Sequence, residues 1–308
     1  MLSLFVYPHA PAPVQDSIED FRGTTPFGGD GIARHFNVVS DPEKADLFWM
    51  GQYADSKVWL LHPNRFPHFE RWPEKHVCDL EGDWRAVPFP EWLRSALVIT
   101  SNWNTDRHGD WERVFPRIIM SPLLMRLVRD PPSFEPPTAR KFWFHGQRDP
   151  LGIREKVRAA LEISGLPYDF RFNDEWLCYV GEGDERLESY VRAMRENAFA
   201  LCIRGSGQNT CRFYEAAALG RIPVIISNHY GFGEPEFIFE RMQEGESTEQ
   251  LVKQLRMFDY LTNDVEAFVQ CRAIYENYFK GEMLPYFADP TAYFLKWAAS
   301  QNLISSRG

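Results

Sequence analysis

The chain has 308 residues, room for two domains, and its 44% hydrophobic and 25% charged content excludes a disordered, collagenous or coiled-coil protein. Lys and Arg total 34 against 43 Asp and Glu, giving a net charge of −9 and none of the basic excess that nucleic-acid binding requires. An anionic ligand must therefore be held by a local set of Arg side chains and backbone N–H groups, and the 15% of aromatic residues can fill thick cores or stack on flat ligands.

The opening MLSLFVYPHAPAP has an apolar stretch stopped by Pro8 and no basic start, so it does not read as a signal peptide. No other run reaches the roughly 20 apolar residues of a membrane span, and the expectation is a cytoplasmic chain. Five Cys, at 78, 178, 202, 211 and 271, make no C-x-x-C pair and no zinc spacing, and read as reduced thiols. Short apolar runs at 2–7, 45–51, 57–61, 76–79, 96–100 and 117–120 predict buried strands, with helical segments such as 17–21 and 90–94 between them. This is the rhythm of a parallel sheet with crossovers. Four prolines in the eight residues DPPSFEPP, 130–137, forbid a helix and place the domain boundary at 135/136.

Beyond it come a strand at 141–145, a helix at 151–164 with Ile153, Val157, Ala160 and Leu161 on one face, a strand at 168–172 and a helix at 186–197. Strand 199–203, helix 211–219 and strand 222–227 follow, a β-α-β-α-β-α-β order that predicts a doubly wound α/β domain over 136–285. Amphipathic stretches at 248–258, 264–279 and 290–301 close the chain. The last, within 286–308, is expected to cross back to the first domain.

The chemistry concentrates in FALCIRGSGQNTCRFYEAAALGRIPVIIS, 199–227. A strand ends at Ile203 and runs into Arg204-Gly205-Ser206-Gly207, whose glycines let backbone approach a ligand; a helix then starts near Asn209 or Thr210. The N–H groups at its start form an anion site suited to a diphosphate, to which Arg204 and Arg212 add fork-shaped donors, and Glu215 is placed to accept ribose hydroxyls. Set beside this, a glycine turn serves any α/β protein, Asn209 or Thr210 can be a simple N-cap, and Arg212 with Glu215 can be a surface ion pair. His145 and Gly146, at the end of the domain's first strand, face the same ligand position.

The segment resembles the exostosin family of glycosyltransferases (family 47), through Cys202-Ile203-Arg204-Gly205, Thr210-Cys211-Arg212-Phe213-Tyr214-Glu215-Ala216 and Gly220-Arg221-Ile222-Pro223-Val224, with Ile203 where the family has Pro. Ser40-Asp41-Pro42-Glu43-Lys44-Ala45-Asp46-Leu47-Phe48 and Lys141-Phe142-Trp143-Phe144-His145-Gly146, with Ile153-Arg154, extend the likeness, and His76 with Asp83-Trp84 adds to it. The resemblance implies a GT-B fold of two Rossmann-like domains facing a cleft. It also implies inverting transfer of a sugar from a nucleoside-diphosphate donor, with uridine as the nucleotide, to a glycan acceptor. The eukaryotic members' N-terminal span is not seen, which points to a soluble bacterial or viral relative.

The sequence contains no D-x-D metal motif, in accord with metal-free stabilisation of the leaving diphosphate by Arg204, Arg212 and the helix terminus, with no cofactor besides the donor itself. Arg212→Ala is expected to abolish turnover and leave the fold intact. The general base is sought past a first-domain strand, at Asp79 or Asp83, with Asp106, His108 and Asp110 past the next; Trp84 and Trp103 can stack on acceptor sugars, and 229–233 can cover the donor. Two rival readings are a nucleotide-sugar epimerase or hydrolase of the same fold and a non-catalytic glycan-binding subunit, the second weakened by the presence of both Arg204 and Glu215.

Overall fold

A computed structural model describes residues 1–8, 29–54, 61–81, 91–100, 118–120, 135–149, 151–174, 184–205, 210–227, 242–243, 245–300, 302 and 304. The chain divides into two compact units, 1–124 with 282–308, and 125–281.

The first unit opens with β1 (Leu2–Val6), α1 (Gly29–His35), β2 (Phe36–Val38), β3 (Leu47–Ala54), β4 (His76–Glu81), β5 (Leu97–Thr100) and β6 (Ile118–Met120). All six strands are parallel, in the order β2-β1-β3-β4-β5-β6. Successive side chains of a strand point to opposite faces, and the core divides accordingly. Leu47 and Trp49 of β3 join Leu4, Phe36, Val77, Leu97 and Ile99 in one cluster. Phe48 and Met50 join Tyr7, Cys78, Leu80 and Val98 in another. Both faces of the sheet are thus covered, as parallel strands demand.

The second unit runs through β7 (Ala139–Gly146), α2 (Ile153–Ser164), β8 (Tyr168–Phe172), α3 (Asp184–Glu196), β9 (Asn197–Ile203), α4 (Cys211–Ala218) and β10 (Ile222–Ile226), then α5 (Thr248–Arg256), α6 (Asp259–Asn263) and α7 (Val265–Tyr278). Its four strands are parallel in the order β10-β9-β7-β8. The chain steps outward from β7 to β8, then back across β7 to β9 and on to β10. Right-handed crossovers therefore place α2 on one face and α3 and α4 on the other, a doubly wound α/β unit. The packing agrees. Tyr190 of α3 reaches Glu215 of α4, while α2 lies against α5. All seven residues of the central β9 are buried.

After α7 the chain returns to the first unit as α8 (Leu284–Ala288) and α9 (Pro290–Ser300), and Phe294 and Ala298 pack with Leu4 and Trp49. The fold class is α/β with two Rossmann-like parallel sheets, the pair of units from which a GT-B architecture is built. Among the described residues no helix is long and apolar enough to cross a membrane. The three-residue edge strand β2 was not anticipated, and the expected helix at 17–21 and most of the expected strand at 57–61 lie outside the described residues. The expected helix at 90–94 is a 3-10 turn, Glu91–Ser95.

One buried histidine couples the first unit to pH. His76 Nδ1 donates to the Trp72 carbonyl at 2.8 Å, so its Nε2 accepts from the Tyr7 hydroxyl, also at 2.8 Å. The ring stacks on Phe48 at 4.7 Å, and burial pulls its pKa down from 6.5 to about 4. The unfolded chain thus binds this proton first as the pH drops, and stability is full above about 6.5 and lost progressively toward 4. We expect the unfolding free energy from urea denaturation to fall over that window by up to about 3 kcal/mol for this group. In His76→Gln protein the slope should shrink by one proton; an unchanged slope would rule the assignment out.

Candidate functional site

In a doubly wound sheet, ligands sit beyond the carboxyl ends of the two neighbouring strands whose helices leave to opposite faces. In the second unit those strands are β7 and β9, ending at His145-Gly146 and Ile203. The topology therefore brings together two segments that lie 57 residues apart in the chain, counting from Gly146 to Ile203.

Arg212, on the first turn of α4, joins the two strand ends. Its Nη2 donates to the His145 carbonyl at 2.6 Å and its Nη1 to the Leu201 carbonyl at 3.4 Å, while the guanidinium carbon lies 4.4 Å from the Phe144 ring centre. Only 8% of the residue is exposed. Gly146 leaves the room this needs, since a Cβ there would stand 2.9 Å from Phe144 Cζ and 3.3 Å from Arg212 Nη2. On the other strand end, a Cβ at Gly205 would stand 3.0 Å from Nη2 of Arg154, a side chain of α2. Arg154 also lies over Phe144, its guanidinium carbon 5.2 Å from the ring centre, and its Nη1 donates to the Gln147 carbonyl at 2.6 Å. Two guanidinium groups therefore share one aromatic platform, each against a glycine.

The helix ends at this edge differ. At α2, Asp149 accepts from the backbone N–H groups of Leu151, Ile153 and Arg154, so a carboxylate already occupies that positive end. At α4, the extended N-cap residue Thr210 makes no side-chain capping bond.

The remaining predicted residues fall as follows. His145 brings its carbonyl to Arg212, while its ring lies 3.2 Å from Asp169 Oδ2. Burial pulls the imidazole pKa down, against the pull of Asp169; burial pushes the Asp169 carboxyl up, but His145 and Arg171 bring it below the usual range. Arg204 is 1% exposed, with Nε 3.3 Å from the Gly205 carbonyl, a core position more than a surface donor. Glu215 is fully buried and its Oε2 accepts from the Tyr190 hydroxyl at 2.7 Å. A carboxylate so enclosed fastens α3 to α4.

Asp79 is also placed differently from expectation. β4 continues to Glu81, so Asp79 lies inside the strand and not past it, 4% exposed and in register with Gln52 and Ile99. A base needs access to the acceptor hydroxyl, and this position does not offer it. Ser206, Gly207, Asn209, Asp83, Trp84, Trp103, Asp106, His108, Asp110 and 229–233 lie outside the described residues. Arg154 was missed as a site residue because it sits on a different helix, eight residues past the end of β7. Its sequence signals were its place in the first turn of the helix after that strand and its part, with Ile153, in the exostosin-like pattern.

No protein-family profile matches the chain, and no curated protein matches it in sequence. Among solved structures it is similar to the crystal structure of TarM, at 10% identity and a TM-score of 0.36, over 76% of this chain and 55% of the TarM chain. The chain thus spans about half the length of that protein.

Because Arg212 is buried on two strand carbonyls, Arg212→Ala removes charge-assisted bonds from the core and is expected to cost about 3 kcal/mol in stability, which corrects the expectation of an intact fold. Two further changes test the packing by urea denaturation. Gly146→Ala should lower stability by about 1–3 kcal/mol, because Phe144 is stacked on Phe170 at 4.6 Å and cannot yield. Tyr190→Phe should cost about 1–3 kcal/mol by stripping a donor from buried Glu215. Wild-type midpoints in both variants would contradict the described contacts.

Proposed function

We propose that the chain is a glycosyltransferase that transfers a sugar from a nucleoside-diphosphate donor, a UDP-sugar, to a glycan acceptor with inversion, and that the donor's diphosphate binds at the carboxyl edge of β7 and β9. The observation that carries this reading is Arg212, whose guanidinium is fixed on both strand ends beside Gly146, at the site that the strand order designates for ligands. Support also comes from the sequence: the exostosin-like residues 202–224 span the end of β9, the turn, α4 and the start of β10.

In the proposed reaction the acceptor hydroxyl oxygen attacks the anomeric carbon, and the bond from that carbon to the diphosphate oxygen breaks. The electron pair leaves with the nucleoside diphosphate, and the acceptor proton passes to a base. Negative charge grows on the departing phosphate oxygens, where a fixed guanidinium and the positive end of α4 stabilise it without reorganising. A carbonyl-held guanidinium is suited to this task because its geometry is set before the substrate arrives.

The test is a thermal-shift screen of nucleoside diphosphates followed by transfer assays. UDP at 100 times its dissociation constant should stabilise the protein by about 2.7 kcal/mol, and uridine without phosphates should shift it far less. Arg212→Lys, which keeps the charge but not the fork, should lower transfer about 100-fold. Conversion of a UDP-sugar into its epimer in the absence of any acceptor would replace this reading by the epimerase alternative.

A further inference from the structure

Arg154 has no role in the reading above, yet it lies at the same strand ends. Its Nη1 is anchored on the Gln147 carbonyl, and its Nη2 rests against the bare face of Gly205. Its Nε is buried and makes no hydrogen bond among the described residues. Of the acidic groups around it, Asp149 accepts three backbone N–H groups of the α2 start and Glu155 Oε1 accepts from Arg148 at 2.9 Å, while Glu155 Oε2 is buried and makes no hydrogen bond among the described residues. Arg212 shares the Phe144 ring, so the two guanidinium carbons lie within about 10 Å of each other. Burial and the neighbouring Arg212 charge lower the Arg154 pKa to about 10 despite the pull of Asp149.

Two desolvated cations that repel each other over one aromatic ring are stabilised by an anion placed between them. A single phosphate or a carboxylate would satisfy one guanidinium fork, whereas a diphosphate has oxygens enough for both. We propose that Arg154 is the second diphosphate-binding residue of the donor site, closing with Arg212 on the phosphate oxygens across Gly146 and Gly205. Arg154 takes the place that the sequence pattern assigned to Arg204. The proposal rests on the donor reading above, and it names the side chain on α2 that the first reading lacks.

Calorimetric titration of UDP and, separately, inorganic pyrophosphate into the full chain tests it. Arg154→Gln should weaken both at least about ten-fold, with Arg154→Lys recovering part of the loss. Arg148→Gln, on the exposed pair with Glu155, should bind as wild type does. Gly205→Ala keeps Arg154 but presses a methyl on its Nη2, and should weaken UDP as well; this variant carries the test if Arg154→Gln does not fold. If wild type binds both probes and either folded variant binds them equally well, the proposal is overturned and the donor reading stands. If wild type binds neither probe, the donor reading falls and the proposal with it.

Discussion

The second unit depends on how its two central strands end. β7 and β9 are sequence-distant neighbours, and the chain reverses its winding between them, so carbonyls near their ends lie between two diverging helices. Buried carbonyls must find donors. Arg212 supplies them from α4, bonding His145 on one strand and Leu201 on the other. The same side chain that closes the fold therefore fixes a positive charge where a ligand is expected. Stability and the proposed anion binding are joined in one residue, so an alanine substitution cannot separate them.

A second buried arginine shows what a purely structural guanidinium looks like. Arg221, at the opposite edge of the sheet, is fully buried and donates to the carbonyls of Leu219 and Arg195 at 2.9 Å each and to that of Glu135. Every arm of its fork ends on backbone, and it ties the entry to β7, the end of α3 and the entry to β10. Burial and the nearby Arg195 and Arg272 bring its pKa down to about 10, as for Arg154. The difference lies in surroundings. Arg154 and Arg212 stand beside glycines at the carboxyl edge, on an aromatic ring they share, where an added Cβ would press on their Nη2 atoms.

Much of the fold was legible in the sequence because periodicity reports burial directly. The run 168–172 is β8 as expected, 211–219 differs from α4 by one residue, and the apolar face Ile153, Val157, Ala160 and Leu161 is buried. β2 escaped because three residues at a sheet edge carry too little pattern, with only Phe36 of the three buried. The site was legible along the chain but not across it. The end of β9 and the start of α4 were visible in one segment, and His145-Gly146 fall at the end of β7. Arg154 was in the quoted pattern but given no site role, because its nearness to Arg212 depends on α2 leaving β7 to one face while α4 leaves β9 to the other, which strand order decides. Glu215 misled for a related reason: a carboxylate one turn into a helix can face ligand or core, and here Tyr190 on α3 takes it into the core. Asp79 misled because β4 runs two residues longer than its apolar run.

The most direct test of the central claim is a crystal structure of the protein with UDP bound. The account predicts density for the two phosphates at the carboxyl edge of β7 and β9, within hydrogen-bond distance of the Arg212 and Arg154 guanidinium groups and over Gly146 and Gly205. A well-ordered nucleotide whose phosphates lie elsewhere on the molecule, with both guanidinium groups left as they stand now, would contradict it.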